Sequence, residues 1–268
     1  MNINLADSVV ILDEAHNIED VCRSCGTKDF DLDDLQFTVQ ELANMIANRV
    51  KLELHTPLYH VLNKFLQCAS EQFDLLRPHQ FDNESNVWHG ARLLQLLHSF
   101  GLHRDSFEGL KNALMQLGAD EQKAIRTEKE ELKLNGKALA VLESFLTVAE
   151  LVLDPLSVSS NNAEHYRFIL YNAVEWRQGN HGRPGERAHV RKVGFWCLNP
   201  AVTFRFLSSA AQSVILTSGT LSPMESFAGE LGVPFDVRLE ANHVIDKSQL
   251  FVACLPRSEK GLVGLWPA

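Results

Sequence analysis

The chain has 268 residues, 45% of them hydrophobic, and a formal net charge of −9. That length supports one large or two modest cores, and the acidic balance excludes a global basic field, so any contact with DNA must come from local patches. Five cysteines (Cys22, Cys25, Cys68, Cys197 and Cys254) make no disulfide pattern, no run is apolar and long enough to span a bilayer, and the first residues lack a signal-peptide layout. A soluble protein of a reducing, intracellular compartment is the expectation.

The first predicted element is a strand over Val9, Val10, Ile11 and Leu12. Four apolar residues bounded at once by acids predict a buried parallel strand, and the carboxyl ends of such strands are where α/β sheets hold ligands. Asp13 emerges there as a candidate magnesium-side carboxylate and Glu14 as a candidate base for an attacking water. The alternative is an ordinary strand followed by an acidic turn. Residues Asn17 to Arg23 predict a short helix at that edge. Cys22 and Cys25 form a Cys-x-x-Cys, either half a metal site, a redox pair, or two unlinked thiols at a helix end. With no second closely spaced pair to complete a metal site, unlinked thiols are the better reading.

From Lys28 to about Ser160 the spacing predicts helices. Leu32, Leu35, Val39, Leu42 and Ile46 share one face; Thr56-Pro57 predicts an N-cap and first-turn proline ahead of Leu58, Val61, Leu62, Phe65, Leu66, Ala69 and Phe73. Trp88, Ala91, Leu94 and Leu97 continue the pattern. Asp105 and Glu108 predict a capping box ahead of Leu110, Leu114 and Leu117. Lys137 to Leu153 predicts another helix, stopped at Asp154-Pro155. The histidines scattered through this stretch lack the close pairing a zinc site needs and read as structural.

The period then changes. Tyr166, Phe168, Leu170 and Val174 alternate as in a strand, and Val193 to Leu198 predicts a second one. Between them Gln178 to Gly185 reads as a turn-rich loop, followed by Arg187, Arg191 and Lys192. These are either a phosphate-contacting patch or a solvated hairpin tip diluted by Glu186. Val214, Ile215 and Leu216 predict a second buried strand, followed at once by Thr217, Ser218, Gly219 and Thr220. Hydroxyls at a strand's carboxyl end can bond a neighbouring acidic site or a nucleic-acid backbone. Ser222, Pro223 and Glu225 predict the capped start of a helix through Met224, Phe227, Ala228 and Leu231 that ends near Gly232; extended chain follows Pro234.

Four blocks carry a resemblance: Val9 to Val21, Phe195 to Val202, Val214 to Ser226 and Leu231 to His243. In order and spelling they are similar to the iron–sulfur, DEAH-type superfamily 2 DNA helicases, with the helical middle resembling that family only loosely. The resemblance implies an α/β fold: a partial RecA-like parallel sheet of the P-loop NTPase type, interrupted by a helical arch. Residues 1–25 and 164–234 would be parts of the first motor domain, 26–163 the arch, and 235–268 the start of the second motor domain. It implies that Asp13 binds the magnesium of ATP, that Glu14 activates the hydrolytic water, and that His16 links this site to Thr217, Ser218, Gly219 and Thr220, coupling hydrolysis to DNA movement. Single-stranded or forked DNA, repair-complex proteins, 5′-to-3′ unwinding, no membrane and a nuclear location are implied with it.

The departures are as specific. The phosphate-loop pattern Gly-x-x-x-x-Gly-Lys-Ser/Thr is absent; Gly136-Lys137 lacks both the first glycine and the hydroxyl. The resemblance puts that loop and the four cysteines of a 4Fe–4S cluster upstream of the DEAH strand, and arginine-bearing motifs downstream; residues after Leu255 leave the family's pattern. An internal piece of a helicase is therefore expected, from a truncated gene model, a short isoform or a decayed copy, inactive alone and without cluster ligands. The two readings are part of an ATP-dependent DNA helicase, or a non-catalytic product whose surfaces bind DNA or a repair partner.

Overall fold

A computed structural model describes residues 4–74, 85–127, 132–153, 161–177, 186–240, 247–249 and 251–252. Residues 1–234 form one compact unit and 235–268 a second, in which the described part is extended apart from a short 3-10 turn over Lys247–Gln249. No helix among the described residues is long and apolar enough to cross a membrane.

The first strand, β1 (Val9–Leu12), pairs in parallel with the last, β6 (Ser213–Leu216), despite some two hundred intervening residues. Their register sets Val9 against Ser213 and Leu12 against Leu216, so both strands end at the same edge. Burial on both faces, as expected for β1 and β6, is not what the structure shows. Val10, Leu12, Val214 and Leu216 are half-buried, whereas Val9, Ile11 and Ile215 remain 55%, 64% and 47% exposed. The sheet has two strands among the described residues, and a pair that narrow buries one row of alternating side chains while the other faces out.

A 3-10 turn over Ala15–Asn17 leads into α1 (Ile18–Gly26), which lies against α7 (Ala201–Ala210); α7 in turn packs on α8 (Met224–Leu231). The α8 start differs from expectation: Pro223, joined to Ser222 by a cis peptide, sits at the N-cap position, and no side chain caps the helix. Its end is as the sequence indicates. Gly232 takes a left-handed φ of 64°, and its N–H closes on Ala228 O at 3.0 Å.

The main core lies elsewhere, and here the purely helical reading of residues 28–160 needs correction. β2 (Lys28–Asp31) and β3 (Ser85–His89) join the long hairpin β4 (Tyr166–Arg177) and β5 (Glu186–Cys197) in an antiparallel sheet of order β2-β5-β4-β3. Trp88 belongs to this sheet rather than to a helical stripe, with its ring 5.3 Å from that of Phe168. The helix that follows starts at Gly90, where a side chain would stand 2.1 Å from Ala163 O; only glycine allows that approach.

The sheet's inner face is covered by α2 (Leu32–Ala47), α3 (Leu52–Asp74), α4 (Gly90–Phe100), α5 (Arg104–Thr127) and α6 (Gly136–Leu153). Phe65 of α3 sits at the centre, 4.9 Å from the Phe145 ring, 5.8 Å from Phe195 and 5.7 Å from Phe100. Two helix starts move. α3 begins at Leu52, leaving Pro57 inside it, because His55 Nδ1 returns to Val50 O at 2.8 Å and secures the corner after α2. α5 begins at Arg104, and the cap bond runs from His103 N–H to Ser106 Oγ at 3.1 Å instead of through Asp105 and Glu108. The loop from Gln178 to Gly185 lies outside the described residues.

Candidate functional site

The parallel register carries the first acidic turn and the hydroxyl-rich turn to one place. Leu12 opposes Leu216, so Asp13 and Thr217 leave the sheet side by side. Backbone bonds then stitch the two turns together: Thr217 N–H donates to Leu12 O and Ala15 N–H to Thr217 O, each at 3.0 Å. Glu14 is held in the left-handed region, φ 51° and ψ 41°. For a side chain with a Cβ that conformation costs roughly 1–2 kcal/mol, and the Asp13 carboxylate offsets part of it by accepting the Glu14 N–H at 3.0 Å.

Three side chains meet above that turn. His16 Nδ1 stands 3.0 Å from Ser218 Oγ and 3.2 Å from Glu14 Oε2. The Ser218 hydroxyl donates to Glu14 Oε2 at 3.4 Å and accepts the Thr220 N–H at the same distance. A consistent proton arrangement has Nδ1–H of His16 and O–H of Ser218 both directed at Glu14, leaving its other oxygen toward solvent. Gly219 is open, with nothing within 4 Å of where a Cβ would stand. Glu14, His16 and Ser218 form one exposed cluster, with Asp13 alongside.

Comparison with known proteins finds relatives along most of the chain. The DEAD_2 family model matches residues 1–35, the segment that holds Asp13, Glu14 and His16. A Fanconi anemia group J protein homolog of Gallus gallus is 33% identical over 282 residues, covering 97% of this chain and 22% of that protein. A regulator of telomere elongation helicase 1 homolog of Aedes aegypti is 24% identical, covering 94% of this chain and 27% of its own length. The chain resembles these two proteins along nearly its whole length. A solved XPD helicase chain also aligns, over 87% of this chain and 31% of that one at 16% identity, but its TM-score of 0.34 is too low to bear on the fold. The chain spans about a quarter of the length of the curated helicases it matches.

The resemblance implies magnesium and ATP, and the residues present fit a cation carried by a nucleotide. Asp13 is exposed, and its second carboxylate oxygen has no hydrogen-bond partner among the described residues. No group of three or more His, Cys, Asp or Glu among the described residues is placed to hold a metal ion. A single carboxylate is what magnesium needs when phosphates and waters supply its other ligands. The 4Fe–4S cluster of the family does not fit the described cysteines. Cys22 and Cys197 are buried, Cys25 is exposed, and the Cys197 thiol already donates to Asn199 O at 3.3 Å; a cluster takes four thiolates.

The three basic residues of β5 separate. Arg187 and Arg191 share the face of Val193, whereas Lys192 projects to the other side of the sheet. Lys192 Nζ is held by Asp31 at 3.1 Å and Glu175 at 2.5 Å. Burial pushes Lys192 down, but the hydrogen bonds to Glu175 and Asp31 outweigh it and hold the amine above the ordinary lysine range. That amine is committed inside the protein. Arg191 lies 5.9 Å from the Phe73 ring centre, and Arg187 is exposed. What sequence reasoning did not reach is Cys197, which the fold sets against the α1 thiols, and Arg23, which joins Glu19, Asp20 and Glu230. The Cys197 contact and the Arg23–Glu230 pair span elements far apart in sequence, whereas Arg23 with Glu19 and Asp20 is an i,i+4 and i,i+3 pairing that helical spacing alone could have shown.

Proposed function

We propose that this chain forms part of the ATP-hydrolysing motor of a nuclear DNA-repair helicase that moves 5′-to-3′. The observation that carries the proposal is the contact of His16 with Ser218, which ties the acidic turn of β1 to the hydroxyl turn of β6. Bound magnesium–ATP would supply the phosphoryl group and the metal charge on which the site acts. Asp13 would hold the cation through its free carboxylate oxygen. Glu14 takes the proton from the attacking water on the oxygen that His16 and Ser218 leave open. His16 and Ser218 fix the other Glu14 oxygen, so a displacement of the β6 turn repositions the base. Thr217, Gly219 and Thr220 carry that displacement toward DNA.

In this layout residues 1–25 and 164–234 belong to a RecA-like motor, 26–163 form the arch, and 235–268 open a second motor domain. The β4–β5 hairpin of the 164–234 segment shares one antiparallel sheet with β2 and β3 of the 26–163 segment, so the two segments are joined through that sheet. Arg187 and Arg191 are the DNA-facing basic residues; Lys192, held by two carboxylates, is a structural one. No step is assigned to an iron–sulfur cluster.

The test is made on this chain joined to the flanking segments of the chicken relative. His16→Ala and Ser218→Ala should keep basal magnesium-dependent ATP turnover and lose most of its stimulation by single-stranded DNA. Stimulation that survives both substitutions would remove the coupling role. DNA binding without any turnover in the joined protein would favour the non-catalytic reading instead.

A further inference from the structure

Two cysteines of α1 and one of β5 converge at the C-terminal end of α1. Cys25 is exposed, while Cys22 and Cys197 are 5% and 4% exposed. The helix end fits closely: a Cβ on Gly26 would stand 2.9 Å from Cys197 Cβ and 3.0 Å from its Sγ. The Tyr166 hydroxyl donates to Gly26 O at 3.1 Å, and the Cys197 N–H donates to Thr27 Oγ1 at 3.0 Å. Cys197 is committed through its bond to Asn199 O. Cys22 and Cys25 are not so committed, and at i and i+3 they stand on one side of the helix, about 5–6 Å apart at Cβ.

We propose that Cys25 is an oxidation site and that Cys22 resolves it, closing a disulfide within the last turn of α1. The oxidant is a peroxide. Cys25 sulfur attacks one peroxide oxygen, the O–O bond breaks, water leaves, and Cys25 becomes a sulfenic acid. Cys22 sulfur then attacks Cys25 sulfur, the S–O bond breaks, and the hydroxide departs as a second water with the Cys22 proton. Two thiols are oxidised to one disulfide and one peroxide is reduced to two waters. An exposed thiol beside a buried second thiol is the arrangement such chemistry uses.

Closure has a structural readout. The Cβ atoms must approach to about 3.5–4.5 Å, which tightens the turn where Thr27 N–H bonds Arg23 O at 3.0 Å and Ser24 O at 3.2 Å. Arg23 lies between the two cysteines and reaches Glu230 of α8 at 3.8 Å, so the disulfide state pulls on the link between α1 and α8. The resolving step is slow at neutral pH, because burial, with the neighbouring Cys25 and Cys197, pushes the Cys22 thiol from 9.0 up to about 11. Its rate should rise about tenfold per pH unit between pH 7 and 9, following the thiolate fraction.

The experiment treats the chain with hydrogen peroxide, alkylates the remaining thiols and digests with trypsin. Cleavage after Arg23 separates the two cysteines, so the expected product is a pair of peptides joined by one disulfide and released by a reductant. Cys25→Ser should leave Cys22 fully alkylatable at the same dose, and Cys22→Ala should leave a Cys25 sulfenic acid trapped by dimedone. Because Cys25 is exposed, its variant keeps the test decisive if Cys22→Ala does not fold. Sulfinic acid on Cys25 with Cys22 still alkylatable, a disulfide that contains Cys197, or oxidation of Cys68 or Cys254 ahead of Cys25 would each overturn the proposal.

Discussion

His16 Nδ1 lies 3.0 Å from Ser218 Oγ across 202 residues of sequence, and both approach the same oxygen of Glu14. That contact exists because β1 and β6 pair in parallel and end together. It is largely exposed, so its value to stability is small; the hydrogen bonds that His16 and Ser218 direct at Glu14 contribute about 0.5–1.5 kcal/mol each at most. Ser218→Ala should therefore melt within a few degrees of the parent in a thermal scan. A loss of several kcal/mol would mean that the two turns hold the fold together, contrary to a role in coupling.

The core makes a larger demand. Phe65 is fully buried and touches rings from α4, α6, β4 and β5. Phe65→Ala should destabilise the chain by about 3–5 kcal/mol, measured by denaturant unfolding. A loss below about 1 kcal/mol would show that helices and antiparallel sheet do not share one core.

Two glycines should respond in opposite directions. At Gly90 a methyl would stand 2.1 Å from the Ala163 carbonyl oxygen, so Gly90→Ala forces the chain apart and should cost about 1–3 kcal/mol. At Gly109, within α5, a methyl meets nothing within 4 Å, and Gly109→Ala should stabilise by about 0.5–1 kcal/mol. Paired urea titrations decide it: equal signs would contradict the placement of α4 against the turn at Asn162–His165.

Alkaline pH should unfold the chain before acid chemistry explains much. Burial raises the Cys22 thiol from 9.0 to about 11, and burial with the nearby Asp29 raises the Tyr171 phenol from 10.0 to about 12. Tyr166 is raised further by burial, and Lys192 is raised by its carboxylates against its own burial. Each raised group adds stability that is complete below its unfolded pKa and lost as pH rises through the folded value. Stability should fall across roughly pH 9 to 12, the window between the ordinary and raised values of Cys22 and Tyr171. A flat melting temperature over that window would contradict the buried placement of these side chains.

The strands and the acidic edge were legible because both depend on local pattern. Apolar residues followed at once by Asp13 or by Thr217 mark a strand and the polar turn that ends it, and no distant contact is needed to read them. Exposure of Val9, Ile11 and Ile215 was not legible, since composition shows what a strand can bury and not how many strands cover it. β2 and β3 escaped because four or five residues cannot establish a period; their pairing with β5 and β4 makes them strands. Lys192 read as part of either a phosphate-contacting patch or a solvated hairpin tip because Asp31 lies far away in sequence, and Cys197 looked isolated for the same reason.

In the proposed motor, Asp13 and Glu14 are the magnesium and water side of an ATPase that also requires a phosphate-gripping loop. Phosphoryl transfer is mostly positioning and charge stabilisation, so these carboxylates cannot perform it without backbone donors and a lysine for the phosphates. The direct measurement is magnesium-dependent phosphate release, with single-stranded DNA present, by the chain alone and by the chain joined to helicase segments that carry that loop and the second motor domain. The chain alone should release none. The joined protein should turn over, and Glu14→Gln should lower its rate about 10²–10⁴-fold while nucleotide binding by calorimetry is unchanged. Turnover by the chain alone that disappears in Glu14→Gln, or turnover by the joined protein that survives it, would contradict the account.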